Sequence, residues 1–231
     1  MSNQPAKYTY LLENDLFRGL PPADVAAMSE RAPMKRVEAG TLFFIAGQQT
    51  EVLFILKEGR VRLYRLSADG RAFTTAILEP GSVFGEMALI GQHLNDSYAE
   101  ALDSCLICLM NRADVQTLLL GDSRIAVRIA EILGERLIEA QTQLADFVFK
   151  RAPERLAALL LRLARKSRPL LSAKEVLEVR HTHEELADMM GVQRETVTKI
   201  LKEWSDQGII QLRRGRVRIL NTMSLTLFIG E

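Results

Sequence analysis

The sequence predicts an α+β chain in three parts: an N-terminal β-roll, one long helix and a C-terminal winged helix-turn-helix. Three observations carry this. Between Val37 and about Met110, short apolar runs recur between glycine-bearing turns, the pattern of a small barrel or roll. From Asp122 to Phe149 there is no proline, and apolar residues step by three or four, the period of a helix. From Thr182 to Trp204 the run T-H-E-E-L-A-D-M-M-G-V-Q-R-E-T-V-T-K-I-L-K-E-W has the form of two short helices about a tight turn. The expected domains are residues 11–121, 122–150 and 151–231.

Residues 11 to 35 read as short helices, with Pro21-Pro22 starting the second. Leu11, Leu12, Leu16, Phe17 and Leu20 can form a packing face. The strand candidates follow: T-L-F-F-I-A, V-L-F-I-L, V-R-L-Y-R-L and F-T-T-A-I-L, separated by Gly47, Gly59 and Asp69-Gly70. V-R-L-Y-R-L alternates as a half-buried strand does, and Asp-Gly between two such runs predicts a hairpin. The two cysteines, Cys105 and Cys108, fall in the apolar run S-C-L-I-C-L. Residues three apart on a strand point to opposite faces. This pair is therefore expected as two buried structural thiols rather than a redox pair or half a metal site.

In the long helix Ala126, Ile129, Leu133, Leu137, Ala140, Leu144 and Phe147 form a coiled-coil-like seam. About 28 residues at 1.5 Å each span about 42 Å, more than a small roll can cover, so the seam predicts a homodimer. Lys150-Arg151-Ala152-Pro153 breaks this helix and reads as a hinge. Leu156, Leu159, Leu160 and Leu163 begin the core of the last domain.

In that domain, Thr182 with Glu185 three residues on is a capping box. Leu186, Ala187 and Met190 give helical apolar spacing, and Gly191 permits positive φ at the turn. The second helix, about Gln193 to Ser205, sorts Val197, Ile200, Leu201 and Trp204 onto one face. The other face carries Arg194, Glu195, Thr198, Lys199 and Lys202. An ordinary helical hairpin would explain the apolar face. It would not require Arg and Glu in the first turn of the opposite one. Arg can bond guanine O6 and N7 bidentately, and Glu can accept from cytosine N4, when a helix N-terminus enters the major groove. I-I-Q-L-R-R-G-R-V-R-I-L then predicts a hairpin with Ile210, Leu212, Val217 and Ile219 inward. Arg213, Arg214, Arg216 and Arg218 would form a basic wing suited to phosphate contacts.

Charge agrees. Residues 151–231 hold 15 of the 30 basic but 10 of the 29 acidic residues, net +5, which leaves residues 1–150 at −4. The basic part is the one holding the DNA-reader pattern. No apolar run of about 18 residues occurs, so no membrane span is expected. The start M-S-N-Q-P-A-K-Y lacks the apolar core of a signal peptide, and a cytoplasmic location follows as an expectation. A metal-dependent enzyme on the roll would need several inward histidines or carboxylates. The N-terminal half has the single histidine His93, so no enzyme and no metal site are expected. A sensor acting on a protein partner instead of DNA is the alternative, and the basic winged region opposes it.

A β-roll, a long helix, a hinge and a winged helix-turn-helix, in that order, resemble the cyclic-AMP receptor protein/FNR family of bacterial transcription regulators over nearly the whole chain. The most specific element is R-E-T-V-T-K-I-L after A-D-M-M-G-V. The resemblance implies that Arg194 and Glu195 each read a G·C pair. Lys199 stands where many members have Arg, and cannot make the same planar two-pronged contact. Thr182, Gln193, Thr198, Lys202, Arg213, Arg214 and Arg216 become further DNA contacts. A palindromic site with TGTGA-like halves, a homodimeric activator and RNA polymerase as a partner are also implied.

The N-terminal half resembles the family's cyclic-nucleotide-binding domain. F-G-E-M-A-L matches the start of the phosphate-binding cassette. That makes Gly85, Glu86, Met87 and Ala88 candidate effector-pocket residues, with Gly85 letting backbone approach the ligand and Glu86 accepting from a ribose hydroxyl. The family pattern then has Arg-Ser to hold the cyclic phosphate, where this chain has Asp96-Ser97. It also has Ala140 and Gln141 where cyclic-AMP responders carry hydroxyl residues that contact the adenine. Cyclic AMP is the effector the family implies. An Asp beside a phosphate repels it, so no cofactor is assigned from the sequence.

Overall fold

The computed structural model describes residues 17, 20–48, 51–85, 96–166 and 177–229. Expectations for Leu11, Leu12, Leu16, Glu86, Met87, Ala88 and His93 lie outside the described residues. The chain divides into two compact units. The first is Met1–Gly70 with Thr75–Ile138, and the second is Arg71–Thr74 with Glu139–Glu231.

The first unit begins with α1 (Pro22–Arg31), whose first residue is a proline, as its missing N–H allows. Eight strands follow: β1 (Met34–Val37), β2 (Leu42–Phe44), β3 (Val52–Glu58), β4 (Val61–Leu66), β5 (Ala72–Leu78), β6 (Val83–Phe84), β7 (Tyr98–Ala101) and β8 (Cys105–Asn111). They form two four-stranded sheets, ordered β1-β8-β3-β6 and β2-β7-β4-β5. One core lies within the roll and the other covers the outer face of the first sheet. Strand β3 explains its own uninterrupted apolar run. Phe54 and Leu56 enter the interior core with Val61, Phe84 and Ala99. Leu53 and Ile55 enter the outer core with Phe17, Val25, Val115 and Ile125. A strand buried on both faces has no polar alternation to display. The same alternation separates the thiols: Cys105 is in the interior core and Cys108 in the outer one. Both are buried and neither is in a disulfide, as expected from their spacing.

Helix α2 (Arg112–Gly121) leads into α3 (Ser123–Phe149). The single expected seam of α3 proves to be two stripes. Ile125, Ile129 and Ile132 pack on the outer core of their own chain. A neighbouring stripe faces outward, with Val127 57%, Leu137 59%, Leu144 65% and Val148 66% exposed. Val127, Gly134, Gln141 and Val148 are seven residues apart, as are Ala130, Leu137 and Leu144, a heptad register. Of the residues expected in the seam, Ile129 packs inward, while Ala126 is exposed and Leu133 half-buried. Periodicity alone cannot tell which of two adjacent stripes the roll covers.

In the second unit α3 ends at Phe149 and α4 (Ala152–Lys166) follows at once. The expected hinge between them is clasped. Asp146, 6% exposed, sits between Lys150 Nζ at 2.9 Å and Arg162 Nη1 at 2.5 Å. Arg155 lies over the Phe147 ring, 5.1 Å from its centroid, and donates to the Lys150 carbonyl. Burial pushes the Asp146 carboxyl up, but hydrogen bonds from Lys150 and Arg162 outweigh it and hold the group below the ordinary carboxylate range. The carboxylate thus contributes stability above its unfolded pKa, and this is lost as pH falls through the folded value. Asp146→Ala, which leaves two half-buried cations facing each other, should cost about 2–3 kcal/mol in urea unfolding at pH 7. That deficit should shrink in acid.

The rest of the unit is α5 (His183–Met190), α6 (Arg194–Asp206), α7 (Thr222–Phe228) and a sheet of β9 (Glu178–Val179), β10 (Ile210–Arg213) and β11 (Arg216–Ile219). The sheet order is β10-β11-β9. The hairpin forms with Leu212 opposite Val217. Ile210, Val217 and Ile219 are buried as expected, and Leu212 is half-buried. Strand β9 has no counterpart among the strands expected from sequence.

Candidate nucleic-acid interface

The interface is assembled by the turn between α5 and α6. Thr182 caps α5 through its hydroxyl oxygen, which accepts from the Glu185 backbone N–H at 3.1 Å, while Glu185 Oε2 accepts from the Thr182 backbone N–H at 3.0 Å. Gly191 ends α5 with φ 61° and ψ 37°, a left-handed conformation in which a side chain would be strained. Its N–H closes the turn on the Ala187 carbonyl. Leu186, Ala187, Met189 and Met190 from α5, with Val197, Ile200, Leu201 and Trp204 from α6, are buried. Trp204 also packs on Phe228 of α7, ring centroids 5.1 Å apart.

Burying that face fixes the opposite one. Arg194, Glu195, Thr198, Lys199 and Lys202 are all exposed on α6. Gln193 is the N-cap but makes no side-chain cap bond, so its amide is uncommitted to the helix. Thr182 is exposed, with its oxygen engaged in the capping box. Arg213 and Arg214 are exposed at the hairpin tip. Arg216 is tied: its Nη1 donates to Glu178 Oε1 at 3.0 Å, and Arg180 Nε lies 3.4 Å from the same oxygen. Glu178 therefore offsets charge on the wing at the edge nearest β9.

Two residues of α5 reach across to α6. His183 Nδ1 is 3.0 Å from Thr198 Oγ1. Glu184 Oε2 is 3.9 Å from Arg194 Nε. Neither contact is visible in sequence, because each depends on the angle at which two helices cross. The hydrophilic start of α5, T-H-E-E, is the one available hint. Burial lowers the His183 pKa, and the charge of Arg194 lowers it further. A folded-state pKa below the unfolded one makes stability fall as pH drops below the unfolded histidine value, about 6.5. Arg194→Ala should raise the His183 pKa part of the way back, which an NMR titration of its ring protons would measure. No change would mean that Arg194's charge does not reach the ring.

The expected effector residues fall in both units. Gly85 is buried with φ 84° in the first. A Cβ there would lie 2.4 Å from the Val52 carbonyl oxygen. Packing against β3 alone thus demands glycine, whatever approaches it. Asp96 is exposed and Ser97 half-buried in the same unit. Ala140 and Gln141 are exposed on the part of α3 in the second unit, and Gln141 belongs to the outward heptad stripe. Sequence reasoning misses Arg136, whose Nη2 donates to the Val83 carbonyl beside Phe84 and Gly85. It brings a cation to the end of β6. Among the described residues, no group of three or more His, Cys, Asp or Glu could hold a metal ion. No helix there is long and apolar enough to cross a membrane.

A helix-turn-helix with a basic β-wing, joined by a long helix to an antiparallel β-roll, defines a DNA-binding regulator with a cyclic-nucleotide-binding type of sensor domain. Residues 154–228 match the Crp-like helix-turn-helix domain family, and residues 34–122 match the cyclic nucleotide-binding domain family. The chain is 31% identical over 205 residues to the cyclic AMP receptor protein of Thermus thermophilus, covering 88% of this chain and 91% of that one. It is 28% identical over 214 residues to a CRP-like cAMP-activated global transcriptional regulator of Mycobacterium tuberculosis, covering 91% and 94%. A crystal structure of a CRP/FNR-family transcriptional regulator from Thermus thermophilus superposes with a TM-score of 0.67 at 28% identity, covering 86% of this chain and 99% of that one. The chain belongs to the CRP/FNR family of transcription regulators.

Proposed function

We propose that the protein is a homodimeric, sequence-specific regulator that reads a palindromic site. Arg194 and Glu195 are its principal base readers and Lys199 the third. The observation that carries this is the α6 surface: its first turn presents Arg and Glu outward while the whole opposite face is buried. Thr182, Gln193, Thr198 and Lys202 flank those readers, and Arg213, Arg214 and Arg216 supply phosphate contacts from the wing. Dimerisation through the outward stripe of α3 sets two reading helices for half-sites one helical turn apart. The half-site is TGTGA-like, RNA polymerase is the partner in activation, and the chain carries no catalytic activity of its own. The relatives' names as transcription regulators support that reading.

The sensor half takes an effector other than cyclic AMP, or none. Asp96 stands where a cyclic phosphate needs a cation, and Ala140 and Gln141 replace adenine-contacting hydroxyls. Gly85 and Glu86 through Ala88 keep the cassette's opening pattern, and Arg136 adds a cation beside it. Selection from a randomised duplex pool tests the DNA reading directly. The expected product is a two-fold symmetric site, and an asymmetric or absent preference would overturn it. Thermal shift with cyclic nucleotides and acidic metabolites, run beside DNA binding with each, tests the sensor. A rise in melting temperature with cyclic AMP, together with tighter DNA binding, would reverse the proposal for the effector.

A further inference from the structure

We infer that Glu184 is a specificity-determining residue, a positioning group that holds Arg194 by its stem nitrogen and turns the end of the guanidinium toward the base it reads. The inference rests on Arg194 as a base reader and extends that reading to a residue outside the reading helix. An acidic side chain on a DNA-binding face is a cost in itself, because every phosphate repels it. Glu184 is exposed at the start of α5, on the side from which Arg194 projects. Its Oε2 approaches Arg194 through Nε, at 3.9 Å. Among the described residues Glu184 is the one ionic partner of Arg194. A carboxylate at Nε leaves both terminal nitrogens for the two acceptors, O6 and N7, that distinguish guanine in the major groove.

A guanidinium on a long stem has many rotamers, and fixing one before binding lowers the entropy lost on contact. The neighbouring pair acts in the same sense: His183 engages Thr198, one turn further along α6. Two consecutive residues of α5 thus buttress two side chains of the reading face. The negative charge contributes to discrimination in a second way. It weakens binding to every sequence, but where guanine is present the oriented Arg194 offsets that loss.

The competing role for Glu184 is purely local: an acid in the first turn of a helix favours the helix dipole. That role predicts a lower melting temperature on its removal and no change in base preference. The experiment compares wild type, Arg194→Ala, Glu184→Ala and Glu184→Gln in full-length protein. Each is measured by selection from a randomised duplex pool, and by fluorescence anisotropy on the selected duplex and on a random duplex of equal length. Arg194→Ala marks the base pair that Arg194 reads. At that pair Glu184→Ala should lose about fivefold in preference, while affinity for the random duplex rises about two- to threefold. Glu184→Gln should show the same rise on random DNA but a smaller loss of preference, since the amide oxygen still turns a partial negative charge toward Nε. Equal gains on both duplexes for Glu184→Ala would reduce Glu184 to a bulk charge and overturn the inference. So would an unchanged preference with a lowered melting temperature. If Arg194→Ala itself leaves every position of the selected site unaltered, the base-reading assignment fails first, and the inference fails with it. A positional loss in Arg194→Ala without one in Glu184→Ala defeats the inference alone.

Discussion

Replacing Leu137 and Leu144 together by Asp should convert the protein to a folded monomer that no longer binds a palindromic duplex with measurable specificity. Both leucines are more than half exposed within their own chain. The substitution therefore removes nothing from either core, and circular dichroism and the melting curve should stay close to wild type. In a two-fold symmetric seam each residue is buried twice. Each buried leucine contributes about 1.5–3 kcal/mol, so four leucines lost and four carboxylates introduced outweigh what a stripe of this length can supply. A monomer engages one half-site and loses the effective concentration that couples the second, so affinity for the full site should fall at least about 100-fold. Sedimentation equilibrium gives the mass, and anisotropy on whole and half sites gives the coupling. A double variant that remains dimeric would place the interface elsewhere on the molecule.

Arg194→Ala should cost about 1–3 kcal/mol, about 5–150-fold, at the one base pair it reads in each half-site. Affinity for random DNA should change little. Arg214→Ala, at the exposed tip of the wing, should behave in the opposite way. It should weaken specific and random duplexes alike and, with one Arg214 lost from each subunit, reduce the slope of log K against log salt by about two. The contrast separates reading from holding. Were both variants to lose affinity uniformly, α6 would be a phosphate-binding helix and the assigned roles of Arg194 and Glu195 would fall together.

The parts of this molecule legible in its sequence are those fixed by neighbours in the chain. The capping box of Thr182 and Glu185, the left-handed Gly191 and the buried face of α6 are local devices, and all form as the spacing implies. Strand alternation places Cys105 and Cys108 in different cores for the same reason. What escapes is set by tertiary approach. Strand β9 has two residues and exists because Val179 pairs with Val217. Gly85 is demanded by the Val52 carbonyl across the sheet. The seam of α3 is legible in its second half, where Leu137 and Leu144 are exposed, but not in its first, where Ile129 packs on its own chain. At the reading face the outward side chains are legible, while the α5 residues beside them and the Glu178 counter-charge on the wing are not.

The clasp around Asp146 determines where this chain can bend. Lys150-Pro153 looks like a joint in the sequence, yet Asp146 and Phe147 on one side of it are fastened to Arg162 and Arg155 on the other. The Phe147 ring also lies where a Cβ on Gly191 would touch it at 3.5 Å. The last turns of α3, the start of α4 and the corner of the helix-turn-helix therefore travel as one lever. Loosening the clasp, as in Asp146→Ala, should therefore disturb the corner that carries α6 as well as the joint before α4.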